Sequence, residues 1–275
     1  MRIFALELDN DIKGIERRKA YIDRLIEKLP KPDIVVLPEL AICSYMASQK
    51  IWKLADDCGR DASQWTVSIA KKYNTYIGAG YLDKENGDYY NRYMIAGPDG
   101  VCGVVTKSEG ESAVFKRRDF GSIVHTPFGN VGVGICYDSR RKHFYDNIRN
   151  DELSLILFPH DSPADPNKPN KERNENDKRC MAYIEAFGVP VVYVNSIGEL
   201  EYMPGKMGAM MKKYSFRMNG MSRIYAPKSV PINTISPMLS VQRSIFSLRK
   251  CIKRYNSMVR IFYAATCCSS TFPQT

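Results

Sequence analysis

One cysteine of this sequence stands where a nucleophile would be expected. Cys136 closes the apolar segment GVGIC, which is typical of a buried strand, and a helix is predicted to begin near Ser139. A thiol at such a junction faces the cleft at the strand end and lies near the positive end of the helix dipole, and both features favour the thiolate. The position predicts a nucleophile; a buried structural cysteine is the alternative.

Two carboxylates and a lysine lie at the ends of other predicted strands. Glu39 follows the apolar run DIVVLP, Lys107 closes the segment VCGVVTK, and Glu111 comes four residues later. Each of them alone is consistent with a solvated surface charge. If they share a pocket with Cys136, they supply a general base, a cation for a developing oxyanion and a nucleophile, which predicts hydrolytic chemistry.

Histidine is the other common base for a cysteine nucleophile. Of the three histidines, His160 lies just beyond the predicted strand 153–159 and could reach the same cleft, so a Cys/His site remains open. The eight cysteines are scattered, with no CxxC pair and no Cys/His cluster of metal-ligand spacing. The sequence therefore predicts a metal-free site and free thiols in a reducing compartment, which we expect to be the cytoplasm.

Strands and helices alternate along most of the chain. The predicted strands are residues 2–8, 33–40, 75–83, 89–97, 101–107, 130–138, 153–159 and 189–195. The predicted helices are residues 12–29, 47–73 with a break near Gly59, 140–148 and 172–187. This order predicts an α/β sandwich with helices on its outer faces.

The C-terminal part differs from the rest of the chain. No acidic residue follows Glu201, whereas 12 basic residues do, so the formal net charge of +10 arises there and the preceding residues are near neutral. After about residue 225 the periodicity fails, and we expect no further strand after residue 228, only a basic helix over 241–262. The prediction is one domain over residues 1–228 and an atypical basic tail over 229–275.

Nucleic acid and membrane are not expected as partners. The basic residues of the tail are scattered, which is typical of a solvated surface. No apolar run approaches the roughly 20 residues that a membrane helix needs, and Glu7 interrupts the N-terminal segment before a signal-peptide core could form.

Several segments, taken in order, resemble the nitrilase or carbon-nitrogen hydrolase superfamily. They are DIVVLPEL (33–40), VVTK (104–107), ESAVF (111–115), TPFGNVGVGICYD (126–138), LILFP (155–159), RCMAYIEAFGVPVVYVNSIG (179–198) and PGKMG (204–208). The segment ending in ICYD is the most specific of them. The resemblance extends over about residues 1–226.

The resemblance implies a four-layer α-β-β-α sandwich that forms a homodimer and needs no cofactor. It also implies a Glu-Lys-Cys triad of Glu39, Lys107 and Cys136, with Glu111 orienting Lys107 or the substrate. In that scheme Glu39 is the general base for the thiol, and Lys107 and the backbone N–H of Tyr137 hold the oxyanion. The expected reaction is hydrolysis of a small amide, N-carbamoyl or nitrile substrate through a thioester, with the amide or N-carbamoyl substrate preferred.

Three further alternatives remain open. Glu109 competes with Glu111 for the role of second carboxylate. A different cysteine hydrolase would use Cys136 with an Asp and a Lys on an open parallel sheet. The short spacing between Lys107 and Glu111, together with the unusual tail, is also consistent with a catalytically impaired scaffold or binding subunit. The substrate itself is not readable, because specificity loops such as 161–171 show no recognition motif.

Overall fold

The structure, a computed structural model, describes residues 1–111, 113–118, 121–201, 204–228 and 261–265. Within these ranges the α-helices are α1 (Ile15–Ile26), α2 (Arg60–Tyr73), α3 (Lys142–Ile148), α4 (Pro169–Phe187) and α5 (Gly205–Lys213). The strands are β1 (Arg2–Leu6), β2 (Ile34–Val36), β3 (Asp56–Asp57), β4 (Tyr76–Glu85), β5 (Asp88–Gly97), β6 (Gly100–Thr106), β7 (Ile123–Thr126), β8 (Gly129–Val133), β9 (Leu153–Pro159), β10 (Pro163–Ala164), β11 (Val191–Val194), β12 (Ile197–Glu199), β13 (Arg217–Asn219), β14 (Arg223–Tyr225) and β15 (Ile261–Ala265). Two 3₁₀ helices span Gln49–Leu54 and Cys136–Arg140.

Most of these strands belong to two large sheets. The first has the order β15-β1-β2-β4-β5-β6, with β3 beside β4, and the second has the order β14-β11-β9-β8-β7. Strand β2 runs parallel to β1 and β4, and β9 runs parallel to β8 and β11. The carboxyl ends of parallel neighbours therefore lie at one edge of each sheet. A small third sheet has the order β10-β13-β12.

The side chains of β1 alternate between two apolar cores. Phe4 and Leu6 pack with Ile22 of α1 in an outer core. Ile3 and Ala5 pack in a second core that contains residues of both sheets. Because successive residues of a strand point to opposite faces, the first sheet lies between a helical layer and the second sheet.

The second sheet carries helices on its other face. Phe144 of α3 and Tyr183 of α4 pack against Phe158 of β9, with ring centroids 5.8 Å and 5.0 Å from that of Phe158. Val133 and Leu157 point the other way, into the core between the sheets. The predicted four-layer α-β-β-α sandwich is thus confirmed, and the open parallel sheet of the alternative hydrolase is wrong.

Each predicted helix differs from its observed bounds, α1 and α3 only by being shorter, and α5 was not predicted. The helix predicted over 47–73 consists of a 3₁₀ helix, strand β3 and α2, and α2 begins after Gly59, whose φ of 64° suits glycine. Helix α4 begins earlier than predicted, at Pro169, because proline fits the first turn of a helix. None of the helices in the described ranges combines the length and apolar character needed to cross a membrane.

A segment of the tail adds a strand to the first sheet. β15 pairs antiparallel with β1, from Arg2 opposite Ala265 to Leu6 opposite Ile261. The expectation that no strand follows residue 228 is therefore wrong, and the helix predicted over 241–262 is wrong at residues 261 and 262. The rest of that helix, residues 241–260, lies outside the described part of the chain. The domain boundary at residue 228 stays a prediction.

Candidate active site

Glu39, Lys107 and Cys136 come together where strands of the two facing sheets end. Glu39 lies three residues after β2, Lys107 directly follows β6, and Cys136 lies three residues after β8. The Nζ atom of Lys107 is 2.7 Å from Oε1 of Glu39 and 3.4 Å from Oε2 of Glu111. The charges of Glu39 and Lys107 both act on the Cys136 thiol. The structure thus groups the four side chains that the sequence singled out.

The carboxylate of Glu39 is fully buried and held through both of its oxygens. Oε1 accepts hydrogen bonds from Lys107 Nζ and Asn91 Nδ2, each at 2.7 Å. Oε2 accepts one from the backbone N–H of Asp161 at 3.0 Å. A buried charge is costly unless it is paired and hydrogen-bonded, and these three donors meet that requirement. They also fix the direction in which the carboxylate points.

The backbone beside Glu39 lies directly against β4. A Cβ atom added at Gly80 would lie 2.3 Å from the backbone N of Leu40 and 2.8 Å from the carbonyl carbon of Glu39. Leu40 itself has a φ of 46°, and the N–H of Ile42 donates to the carbonyl of Gly80 at 3.1 Å. The absence of a side chain at Gly80 therefore allows the loop to place Glu39.

Lys107 is a fixed cation between two carboxylates. Burial disfavours its ammonium form, but the charges of Glu111 and Glu39 raise the pKa of Lys107 well above its usual value. Burial also opposes ionisation of Glu111, but Lys107 and a 3.0 Å hydrogen bond from the Tyr45 hydroxyl lower the pKa of Glu111. The lysine is therefore held in place and charged.

Glu109 is turned away from Lys107. Its carboxylate accepts a hydrogen bond from Nε of Arg141 at 3.1 Å and lies 3.8 Å from a guanidinium nitrogen of Arg117. The second carboxylate that contacts Lys107 is therefore Glu111.

Cys136 is half-buried and has a φ of 50°, which is uncommon for a residue other than glycine. Burial and the nearby Glu39 carboxylate raise the pKa of the Cys136 thiol to about 12, and the charge of Lys107 offsets only part of this. Burial and the Glu39 charge thus oppose the thiolate that the strand end and the helix dipole are expected to favour. A base must remove the thiol proton before the sulfur can attack.

The turn after Cys136 presents backbone groups to the site. Among the described residues, the N–H of Tyr137 has no acceptor, and its side chain is 46% exposed. The buried carboxylate of Asp138 accepts hydrogen bonds from the N–H groups of Ser108 and Glu109, at 3.0 Å and 2.8 Å. These bonds fix the turn against the segment that follows β6.

His160 lies near the site without bonding to Cys136 in the described structure. Its Nδ1 is 3.2 Å from Oγ of Ser162, and its Nε2 is 3.3 Å from Oγ of Ser139. Burial and the charges of nearby basic side chains lower the pKa of His160 well below its usual value. A neutral imidazole with a serine at each nitrogen does not form the Cys/His pair that the sequence left open.

Sequence reasoning missed three residues that contact the site. Asp161 and Ser162 lie two and three residues after β9, so the strand-end criterion that found Glu39 could have found them. Burial and the charge of Glu39 raise the pKa of the Asp161 carboxyl well above its usual value. Asn91 lies within β5, and its contact with Glu39 depends on a packing geometry that no local pattern reports.

A family model described as carbon-nitrogen hydrolase matches residues 10–236. This range contains the four residues that meet at the strand ends, which are Glu39, Lys107, Glu111 and Cys136.

Two curated relatives match part of the chain. A probable nitrilase of Schizosaccharomyces pombe is 28% identical over 138 residues, which cover 47% of this chain and 51% of that protein. An omega-amidase of Homo sapiens is 28% identical over 142 residues, which cover 46% of this chain and 50% of that protein. The chain thus spans about half the length of the curated relatives it matches.

Solved structures share the fold over most of the chain. A carbon-nitrogen hydrolase from Helicobacter pylori G27 superposes with a TM-score of 0.71 at 19% identity, covering 82% of each chain. An amidase from Nesterenkonia sp. superposes with a TM-score of 0.65 at 16% identity, again covering 82% of each chain. At such identities the likeness concerns the fold.

Proposed function

Because this chain belongs to the carbon-nitrogen hydrolase family, we propose that it hydrolyses a non-peptide C–N bond of a small amide or N-carbamoyl compound, with Cys136 as the nucleophile. The observation that carries the proposal is the buried contact of 2.7 Å between Lys107 and Glu39 next to that thiol. It supplies a base and a cation where a thioester could form.

The first half of the proposed reaction forms a thioester. Glu39 accepts the proton of the Cys136 thiol while the sulfur bonds to the carbonyl carbon of the substrate. The carbonyl oxygen gains negative charge, which the Lys107 ammonium and the backbone N–H of Tyr137 stabilise. Glu39 then returns the proton to the substrate nitrogen, the C–N bond breaks, and ammonia or an amine leaves.

The second half releases the acid. Water attacks the thioester carbon while Glu39 accepts one of its protons, and the same two donors stabilise the oxyanion. The C–S bond then breaks, the sulfur takes the proton back from Glu39, and the carboxylic acid departs. Glu111 does not exchange protons in this scheme: its contact of 3.4 Å with Lys107 keeps the ammonium in place.

A neutral thiol in the free protein agrees with this scheme. With the thiol pKa raised to about 12, a negligible fraction is thiolate at neutral pH, so turnover depends on a base inside the pocket. Glu39 is buried beside the thiol, and its oxygens are oriented by donors from three segments. The homodimer and the cytoplasmic location expected from the sequence stay predictions.

The test is release of ammonia or amine by the full-length chain from a panel of substrates. The panel contains small aliphatic amides, omega-amides, N-carbamoyl amino acids and nitriles. We expect turnover of an amide or an N-carbamoyl compound, and a loss of roughly 10²–10⁴-fold with Glu39→Gln. Cys136→Ala should be inactive.

The exposed thiol of Cys58 provides the matched control, since Cys58→Ala also removes one cysteine but should keep full activity. A folded chain that turns over no substrate of the panel would favour the scaffold alternative. Turnover that survives Cys136→Ala would contradict the proposed nucleophile.

A further inference from the structure

Four residues form a closed ring of polar contacts around the thiol. Sγ of Cys136 lies 3.4 Å from Oγ of Ser162, which lies 3.2 Å from Nδ1 of His160. Nε2 of His160 lies 3.3 Å from Oγ of Ser139, which donates to the carbonyl oxygen of Cys136 at 2.7 Å. The ring thus leads from the thiol back to the backbone of the same residue.

The number of available protons sets the direction of every bond in the ring. The Cys136 carbonyl can only accept, so it takes the single hydroxyl proton of Ser139, whose oxygen must then accept from His160 Nε2–H. A neutral imidazole protonated at Nε2 has a bare Nδ1, which accepts the hydroxyl proton of Ser162. Ser162 Oγ then has no proton left for the sulfur and accepts from the thiol S–H. This arrangement fits a thiol and not a thiolate.

The imidazole stays neutral because of its surroundings. His160 is fully buried, and its ring centroid lies 4.6 Å from that of Tyr193. Burial, followed by the charges of Arg179, Arg140 and Lys107, keeps the pKa of His160 low. A proton passed from the thiol to this ring would create a buried cation among other cations, so His160 is not a favourable base.

The backbone of Ser162 is held on both sides by one amide. Oδ1 of Asn195 accepts from the Ser162 N–H at 2.9 Å, and Nδ2 of Asn195 donates to the Ser162 carbonyl at 3.0 Å. A further bond of 3.1 Å from Nδ2 to the carbonyl of Gly220 anchors the amide itself. The Ser162 hydroxyl therefore changes partner by rotation of its own side chain.

We propose that His160 and Ser162 are positioning residues that keep Cys136 protonated in the free protein, because the Ser162 hydroxyl is directed to the imidazole and not to the sulfur. The inference rests on the proposed function, since it concerns the same nucleophile. When Glu39 takes the S–H proton, the bond from sulfur to Ser162 is lost. The hydroxyl can then turn to the thiolate only by leaving His160 Nδ1 without its donor.

The test is the rate of alkylation of Cys136 by iodoacetamide as a function of pH, followed by mass mapping of the full-length chain. The titratable groups acting on this thiol are Glu39, Lys107, Glu111, Tyr45 and Tyr193, and all variants keep them. His160→Gln keeps an amide near the Nε2 position but removes the acceptor at Nδ1. His160→Asn keeps an acceptor near the Nδ1 position.

We expect H160Q to free the Ser162 hydroxyl for the sulfur and to lower the midpoint of the pH profile by about one unit, which means about tenfold faster labelling at pH 8. H160N should label within about twofold of the wild type. The double variant H160Q/S162A should return to the wild-type rate, because the freed hydroxyl is absent. Equal rates for H160Q and H160N, or an H160Q effect that persists without Ser162, would overturn the inference.

Other cysteines report on folding in the same experiment. Cys58 is exposed and serves as the ordinary thiol, whereas Cys43 and Cys180 are buried and become labelled only if a variant unfolds. If H160Q unfolds, the ¹⁵N chemical shifts of His160 in the wild type decide the matter. A proton on Nε2 is the expected result, and a proton on Nδ1 would overturn the inference.

None of these measurements needs a substrate. If the labelling rates and the His160 tautomer are as expected but no substrate of the panel is turned over, the proposed function is wrong and the inference about His160 and Ser162 is supported. If turnover depends on Cys136 but H160Q and H160N label at equal rates, the proposed function is supported and the inference about His160 and Ser162 is wrong.

Discussion

Lys107 and Glu39 form an ion pair of 2.7 Å with side chains only 1% and 0% exposed. A buried ion pair rarely stabilises a protein more than apolar residues of the same volume would, because both charges lose their hydration. The pair is therefore poorly explained by stability alone. Its position beside Cys136, the proposed nucleophile, which would need both a base and a cation, gives it a chemical reason.

Removal of the lysine should be costly to the fold. Lys107→Met leaves the buried carboxylate of Glu39 and the partly buried carboxylate of Glu111 without their cation, and we expect a loss of about 3–5 kcal/mol in the free energy of unfolding. Adding Glu39→Gln should restore part of it, because one of those charges disappears. Urea denaturation measures the free energy of unfolding of the single and the double variant. Lys116→Met, at an exposed ion pair, is the control and should change stability by less than about 1 kcal/mol; a similar loss there would contradict the account.

A methyl group at Gly80 should displace Glu39, the proposed base. Gly80→Ala places a Cβ 2.3 Å from the backbone N of Leu40, so the loop that carries Glu39 must shift. A misplaced catalytic group costs on the order of 10²-fold in kcat/KM. Gly121→Ala is the matched control, because no atom of the described part of the chain lies within 4 Å of its added Cβ. Unchanged kcat/KM in Gly80→Ala would show that the position of Glu39 does not depend on this contact.

His160 should make the protein sensitive to mild acid. Its pKa in the folded state lies well below the usual value of about 6.5, so below pH 6.5 the unfolded chain binds a proton that the folded chain does not. The free energy of unfolding is therefore not reduced by His160 above pH 6.5. Below pH 6.5 it falls by about 1.4 kcal/mol for each pH unit. Urea unfolding at pH 7, 6 and 5 should show a shallower decline for His160→Asn than for the wild type. Equal declines would contradict a buried neutral imidazole.

The strand in the tail should contribute to stability. β15 pairs with β1 over five residues of each strand, and deletion of residues 229–275 exposes that edge of the sheet. At about 0.5–1.5 kcal/mol for each backbone hydrogen bond, the loss should amount to a few kcal/mol. We would compare the midpoint of urea unfolding of the full-length chain with that of the chain lacking residues 229–275. A shortened chain as stable as the full one would mean that the pairing adds nothing.

Much of the site could be predicted because its residues sit at strand ends. Glu39, Lys107 and Cys136 each follow an apolar segment, and strands of a layered α/β fold bring such ends together. The choice between Glu109 and Glu111 could not be made in that way. It depends on which carboxylate turns toward the arginines, and the two residues are only two positions apart in an irregular segment.

The protonation of the thiol and the pairing of β15 were beyond local patterns for a common reason. The pKa of Cys136 depends on desolvation and on the charges of Glu39 and Lys107, which come from distant segments of the chain. The strand Ile261–Ala265 is recognisable by its partner β1, at the other end of the chain. Neither periodicity nor residue type reports such long-range contacts.

The most direct test of the central claim, that Glu39 activates Cys136 as a nucleophile, is the mass of the peptide containing Cys136 after rapid acid quench during turnover of an amide. We expect an added acyl group on Cys136 in the wild type, formed roughly 10²–10⁴-fold more slowly in Glu39→Gln. An acyl group on a different residue, or formation at the wild-type rate in Glu39→Gln, would contradict it.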